Sequence, residues 1–182
     1  MPDSSIFGAG GLWNLLETQE ASASPLIEFT SGINSSFKLF KILCTSVVMA
    51  SDDQPLYVTA SIDGGATYLG TPNYTFHNHS MFSGATTYSA AAGPSFSTVD
   101  LNGARALGNA ANEGISAEIT LFDPSNTSLY KHMHARAYYF DDGTLFGGTD
   151  IPFGVKTASA INAIKLNASG NIASGTFQLI AR

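Results

Sequence analysis

The four histidines of this 182-residue chain fall into two His-x-His pairs, His77-Asn78-His79 and His132-Met133-His134. On a strand, residues i and i+2 share a face, so each pair offers two imidazoles on one side, half of a tetrahedral zinc set. The face of the second pair would also carry Tyr130, Arg136 and Tyr138, with Met133, Ala135 and Ala137 opposite. A guanidinium on that face repels a cation, and no carboxylate stands close in sequence. The pairs are therefore expected to be polar surface or subunit-contact residues, with no metal and no cofactor. Five aspartates, Asp52, Asp53, Asp63, Asp141 and Asp142, raise the paired-carboxylate chemistry of glycoside hydrolysis or calcium binding. Each sits beside Gly, Pro or Ser, where Asp accepts backbone hydrogen bonds in tight turns, and turns are the expectation. No nucleophile elbow, P-loop, dinucleotide fingerprint or His-Glu-x-x-His occurs, so no enzyme is expected.

Tyrosines are the other lead. Tyr57, Tyr68, Tyr74, Tyr88, Tyr130, Tyr138 and Tyr139 could form a platform on which sugar rings stack. Tyrosine is equally enriched where subunits meet. The single cysteine, Cys44, excludes an internal disulfide. It lies in the apolar run 37–49 and reads as a buried thiol behaving as a small hydrophobe.

These residues need strands to position them, and strand signals come at short intervals: 26–30, 37–49, 56–62, 74–76, 95–101, 115–122, 129–140 and 144–146. In 56–62 the inward set is Leu56, Val58, Ala60 and Ile62; in 115–122 it is Ile115, Ala117, Ile119 and Leu121. Breaks such as Asp63-Gly64-Gly65, Asp123-Pro124-Ser125-Asn126 and Asp141-Asp142-Gly143 separate them. The last 23 residues read as a hairpin, with arms 160–167 and 176–181 around Ser169-Gly170-Asn171-Ile172-Ala173-Ser174-Gly175. The stretch 82–112 is poor in bulky side chains, reads as a long loop, and is expected to contact a partner.

The N-terminal residues differ from the rest. Leu12, Leu15, Leu16 and Gln19 fall at helical spacing over about two turns, too short to persist alone in water. Ile6, Phe7, Leu12, Trp13 and Leu16 are the interface candidates of an arm that docks on its own domain or a neighbour, and Ala21-Ser22-Ala23-Ser24-Pro25 reads as its linker. The expected organisation is a docking arm and linker at 1–25 and a β-sandwich at 26–182. The fold class is all-β, a jelly-roll-like antiparallel β-sandwich with a short N-terminal arm or helix.

Composition narrows the function. Only 12% of residues are charged and the net charge is −6, with no basic run, so nucleic-acid binding is not expected. No apolar run is long enough to span a bilayer, and the N-terminus lacks a basic segment followed by an apolar core, so synthesis and folding in a cytoplasm are expected. A surface this weakly charged suits a subunit largely covered by neighbours.

Three segments carry a family resemblance. The run from Ser169 to Thr176, the run Ser61-Ile62-Asp63-Gly64-Gly65-Ala66-Thr67-Tyr68, and Ile27-Glu28-Phe29-Thr30-Ser31-Gly32-Ile33 resemble, in order, segments of bacteriophage virion structural proteins. The resemblance implies a compact β-sandwich subunit of a virion, made in the host cytoplasm, either a capsid decoration (cement) protein or a tail or baseplate appendage. It further implies other virion proteins (major capsid or tail proteins) as partners and a homotrimer. The alternative is a carbohydrate-binding adhesin on the same sandwich, with a glycan as ligand.

Overall fold

Ten strands succeed one another along the described residues 12–84, 89–103 and 105–182 of a computed structural model. They are β1 (Asn14–Phe29), β2 (Leu39–Met49), β3 (Leu56–Ser61), β4 (Tyr74–Phe82), β5 (Ser89–Phe96), β6 (Val99–Asp100), β7 (Gly114–Phe122), β8 (Lys131–Phe140), β9 (Phe146–Val155) and β10 (Ala163–Ala181). All pair antiparallel in the order β5-β4-β9-β8-β7-β2-β10-β3-β6, with β1 also on β10. The fold is all-β, a single antiparallel sheet nearly closed into a barrel-like sandwich. Among the described residues no helix is long and apolar enough to cross a membrane.

β10 makes the closure. One of its edges pairs with β1 from Ile164 to Ala181. The other pairs first with β3, over Ala163–Ala168, and then with β2, over Ile172–Ala181. A strand that changes neighbours along its length must bend, and the bend is visible as a change of phase. From Ile164 onward the buried residues are Ile164, Leu166, Ala168 and Ile172, then Phe177, Leu179 and Ala181, so the parity flips between them. The flip falls where pairing with β2 is irregular, between Ile172 and Ser174 and again between Ser174 and Thr176. Gly175 has φ 141°, and a Cβ there would come within 2.8 Å of the Val47 Cα, so no other residue fits. The terminal segment is thus one bent strand, not a hairpin; Ser169 to Thr176 carries the bend inside it.

The N-terminal expectation changes in the same way. The helical spacing at 12–19 belongs to β1, and Ala21 to Pro25 continue that strand instead of linking two units. Register shifts at Leu16, between Leu15 and Glu17, and at Pro25, between Ser24 and Leu26, displace the alternation, and the first makes a bulged strand resemble a short helical stripe.

Inside, alternation fills the core. Ile115, Ala117, Ile119 and Leu121 of β7 are buried, as are Leu56, Val58 and Ala60 of β3, while Ile62 is exposed. Each fully buried Leu, Ile or Phe contributes roughly 1.5–3 kcal/mol. Cross-links tie the two halves: Ala60 N–H donates to Tyr74 Oη (2.7 Å), Tyr139 Oη donates to the Asn102 carbonyl (2.6 Å), and Thr149 Oγ1 donates to the Leu101 carbonyl (2.7 Å). The expected partner loop at 82–112 is largely part of the domain itself. It contains β5 and β6, and it buries Leu101 and Leu107 completely.

Candidate functional site

The outward face of β4, β9 and β8 collects most of the chemistry-bearing residues. Inward positions of β8 are Lys131, Met133, Ala135, Ala137 and Tyr139; outward ones are His132, His134, Arg136, Tyr138 and Phe140. On β4 the outward residues are His77, His79 and Met81. Between these strands, β9 presents Gly148, Asp150, Pro152 and Gly154. Register sets the rows: Met81 beside Gly148 beside Tyr138, His79 beside Asp150 beside Arg136, Pro152 beside His134, and Gly154 beside His132.

Both histidine pairs therefore lie on one face, on opposite sides of β9. Two strand spacings, roughly 9.6 Å, separate β4 from β8. Among the described residues no three His, Cys, Asp or Glu side chains gather as a metal would require. What the pairs form instead is the two walls of a shallow trough whose floor is β9. Two depressions lie along it. One of about 330 Å³ is bounded by His79, Met81, Arg136, Tyr138, Gly148 and Asp150. The other, about 340 Å³, is bounded by Thr75, His77, His132, Pro152 and Gly154 with their neighbours.

Asp150 is the polar centre. Its Oδ1 lies 2.7 Å from His134 Nε2, and its Oδ2 accepts from Arg136 Nη2 at 2.7 Å. Arg136 first, then His134, hold its carboxyl below the usual range, and the same contact raises the guanidinium. Tyr138 is 51% exposed, and its ring runs parallel to that of Phe146 at a centroid distance of 6.5 Å. Phe140 lies against Phe146 at 5.4 Å. On the far flank of β8 a further depression of about 440 Å³ is lined by Ser116, Glu118, His134, Arg136 and Tyr138 among others. There Glu118 is paired with Lys41 at 2.8 Å.

The expected seven-tyrosine platform does not assemble. Tyr74 and Tyr139 are 1% exposed and serve the core, Tyr57 and Tyr68 are partly covered, and Tyr88 lies outside the described residues. Tyr130 and Tyr138 are exposed, and Phe140 and Phe146, passed over in the sequence, join Tyr138. Three of the aspartates act in turns or loops. Asp63 accepts from Ser61 Oγ, Thr67 N and Thr67 Oγ1, which holds its carboxyl down at about 2. Asp141 accepts from Gly143 N and Leu145 N and pairs with Arg105, and Asp52 accepts from Asn109 N. Cys44 is buried, and burial pushes its thiol up to about 12, so it is inert.

Of the interface candidates, Ile6 and Phe7 lie outside the described residues. Leu12 is 80% exposed, and its neighbour Leu15 is 59% exposed. Trp13 receives two cations over its ring, Lys41 Nζ at 5.2 Å and the Arg182 guanidinium at 5.0 Å. Leu16 packs on the chain's own core. Comparison with protein-family models, curated proteins and solved structures finds no match to this chain.

Proposed function

We propose that the chain is a non-enzymatic structural subunit of a bacteriophage particle, a capsid decoration protein or a tail or baseplate component, joined to its neighbours through the edge of β1. The observation that carries this reading is β1 itself. It runs for 16 residues and, among the described strands, pairs with β10 alone. In an antiparallel strand, alternate N–H and C=O groups point to each side, so one row of them faces away from β10. A long edge of this kind is a template for a strand from another chain. Exposed Leu12 and Leu15 at its start supply apolar surface for the same contact. A homotrimer, with further contacts to major capsid or tail proteins, fits such an edge and the 12% charged composition.

The test compares purified particles assembled with the intact chain and with a variant lacking residues 1–12 and carrying Leu15→Glu. This variant keeps β1 on β10, whereas removal through Ala21 would strip seven β1–β10 pairs. The intact chain is expected at fixed stoichiometry in particles; the variant is expected to melt at the same temperature but remain unincorporated. Absence of the intact chain from particles, or normal incorporation of the folded variant, contradicts the proposal.

A further inference from the structure

We propose that the trough along β9 binds a neutral oligosaccharide, an inference that does not rest on the virion assignment and uses a different surface from the edge of β1. Shape comes first. The outward floor positions run from Gly148 to Gly154, about 20 Å at roughly 3.4 Å per residue, long enough for several sugar rings in a row. Gly148 and Gly154 contribute no side chain, which leaves the floor low at its two ends, where the two depressions lie, with Asp150 and Pro152 standing between them. At Gly148 an added Cβ would meet the Tyr138 ring at 3.4 Å, so the ring stands directly beside the vacant position.

Chemistry narrows the occupant. β9 is hydrogen-bonded to β4 on one edge and β8 on the other, so its backbone has no free row to offer a peptide strand. Recognition must come from side chains. Arg136 and Asp150 are planar, two-pronged groups set side by side at 2.7 Å. Arginine has five donors and a carboxylate about four acceptor sites, so their mutual bond leaves capacity of both kinds. Donors next to acceptors match vicinal hydroxyls, each of which both gives and receives a hydrogen bond. The exposed face of Tyr138 matches the apolar C–H face of a pyranose ring. The trough thus carries both halves of a sugar's surface chemistry.

Charge decides the class of sugar. The formal charges of Arg136 and Asp150 cancel, and the chain as a whole carries −6. With the four histidines of the walls counted neutral, no net positive charge there favours a phosphorylated or carboxylated glycan, and the long-range field opposes one.

The experiment presents the full-length chain to an array of neutral oligosaccharides of three to six rings (gluco-, manno-, galacto- and N-acetylglucosamine series), with polygalacturonate and hyaluronan fragments as acidic controls. Hits are titrated by calorimetry. Saturable binding to at least one neutral series is expected, weakened at least tenfold by Tyr138→Ala and, independently, by Gly148→Leu, which fills the floor. Both variants are checked by thermal melting, and Arg136→Gln serves as a third if either fails to fold. No binding to any neutral series, binding to the acidic fragments alone, or neutral-sugar binding that survives the folded variants overturns the proposal. An extended peptide or a second protein that occupies the trough while every neutral sugar fails to compete would also overturn it.

Discussion

β10 and β1 run side by side through the same bend, yet they meet it under different constraints. β10 has β1 on one edge and β2 and β3 on the other, and at the bend its backbone presses on Val47. β1 pairs with β10 alone among the described strands, and it turns at Ala23 with φ 51°, a left-handed conformation that costs a non-glycine residue roughly 1 kcal/mol. The enclosed strand spends a glycine where nothing else fits. The edge strand carries the positive φ on an alanine. β10 joins the β2 and β3 parts of the sheet, and β1, like β5 and β6, pairs along one edge only among the described strands.

Substitutions at the bend should separate the two strands most sharply. Gly175→Val places a β-branched side chain at φ 141° with its Cβ 2.8 Å from backbone, combining backbone strain with overpacking. A loss of at least about 3 kcal/mol in urea unfolding is expected, enough to unfold a marginal domain. A loss under about 1 kcal/mol would show that β10 is less enclosed than described.

A second effect lies in the half of the sheet that β10 brings in through β3. Asp100 on β6 accepts from Asn102 N and Gly103 N, yet burial pushes its carboxyl up to about 6. The folded form therefore prefers the protonated acid. The stabilisation is complete below about 3.8 and is lost as pH rises through about 6. It is bounded at roughly 3 kcal/mol. Asp63 and Asp150 act in the opposite sense, since their lowered carboxyls stabilise the fold above the ordinary carboxylate range and cease to do so in acid. Melting temperature should rise modestly from pH 7 to pH 5 and fall again below about pH 4. Asp100→Asn should flatten the rise, and an unchanged rise in that variant would remove Asp100 from the explanation.

The smallest expected effect is at the edge. Ala23→Gly relieves the positive φ at some entropic cost, so stability should change by less than about 1 kcal/mol, in the stabilising direction. A large loss there would mean that β1 is as constrained as β10, and the comparison would fail.

Strands facing the core on one side were plain in the sequence where β7 and β8 alternate in type, whereas the run 37–49 that holds β2 could also be read as a helix and was decided by its β-branched Thr45, Val47 and Val48. β9 was harder to read. Thr149, Ile151, Phe153 and Val155 keep the inward period, but Gly147, Gly148, Pro152 and Gly154 between them look like turn residues. Gly147 is there because a Cβ would strike the Tyr139 ring at 2.6 Å, a contact between strands that no local pattern reveals. In β10 the phase change at Gly175 was visible, but a bulge and a turn share the same glycine and the same loss of period, so it read as a hairpin. The bulge at Leu16 likewise produced helical spacing in β1. The trough was out of reach for a related reason. The histidine pairs and Arg136 were each noticed, but Asp150 belongs with them only through register across three strands.

Hydrogen exchange on the chain, free and in the assembled particle, tests most directly whether β1 is the docking edge. In the free chain, amides of β10 should exchange slowly on both sides of the bend. In β1, those facing β10 should be slow and the alternate ones fast. Assembly should slow the fast set in β1 and leave β10 unchanged. If those β1 amides exchange equally fast in the particle, β1 is not the edge by which this subunit joins its neighbours.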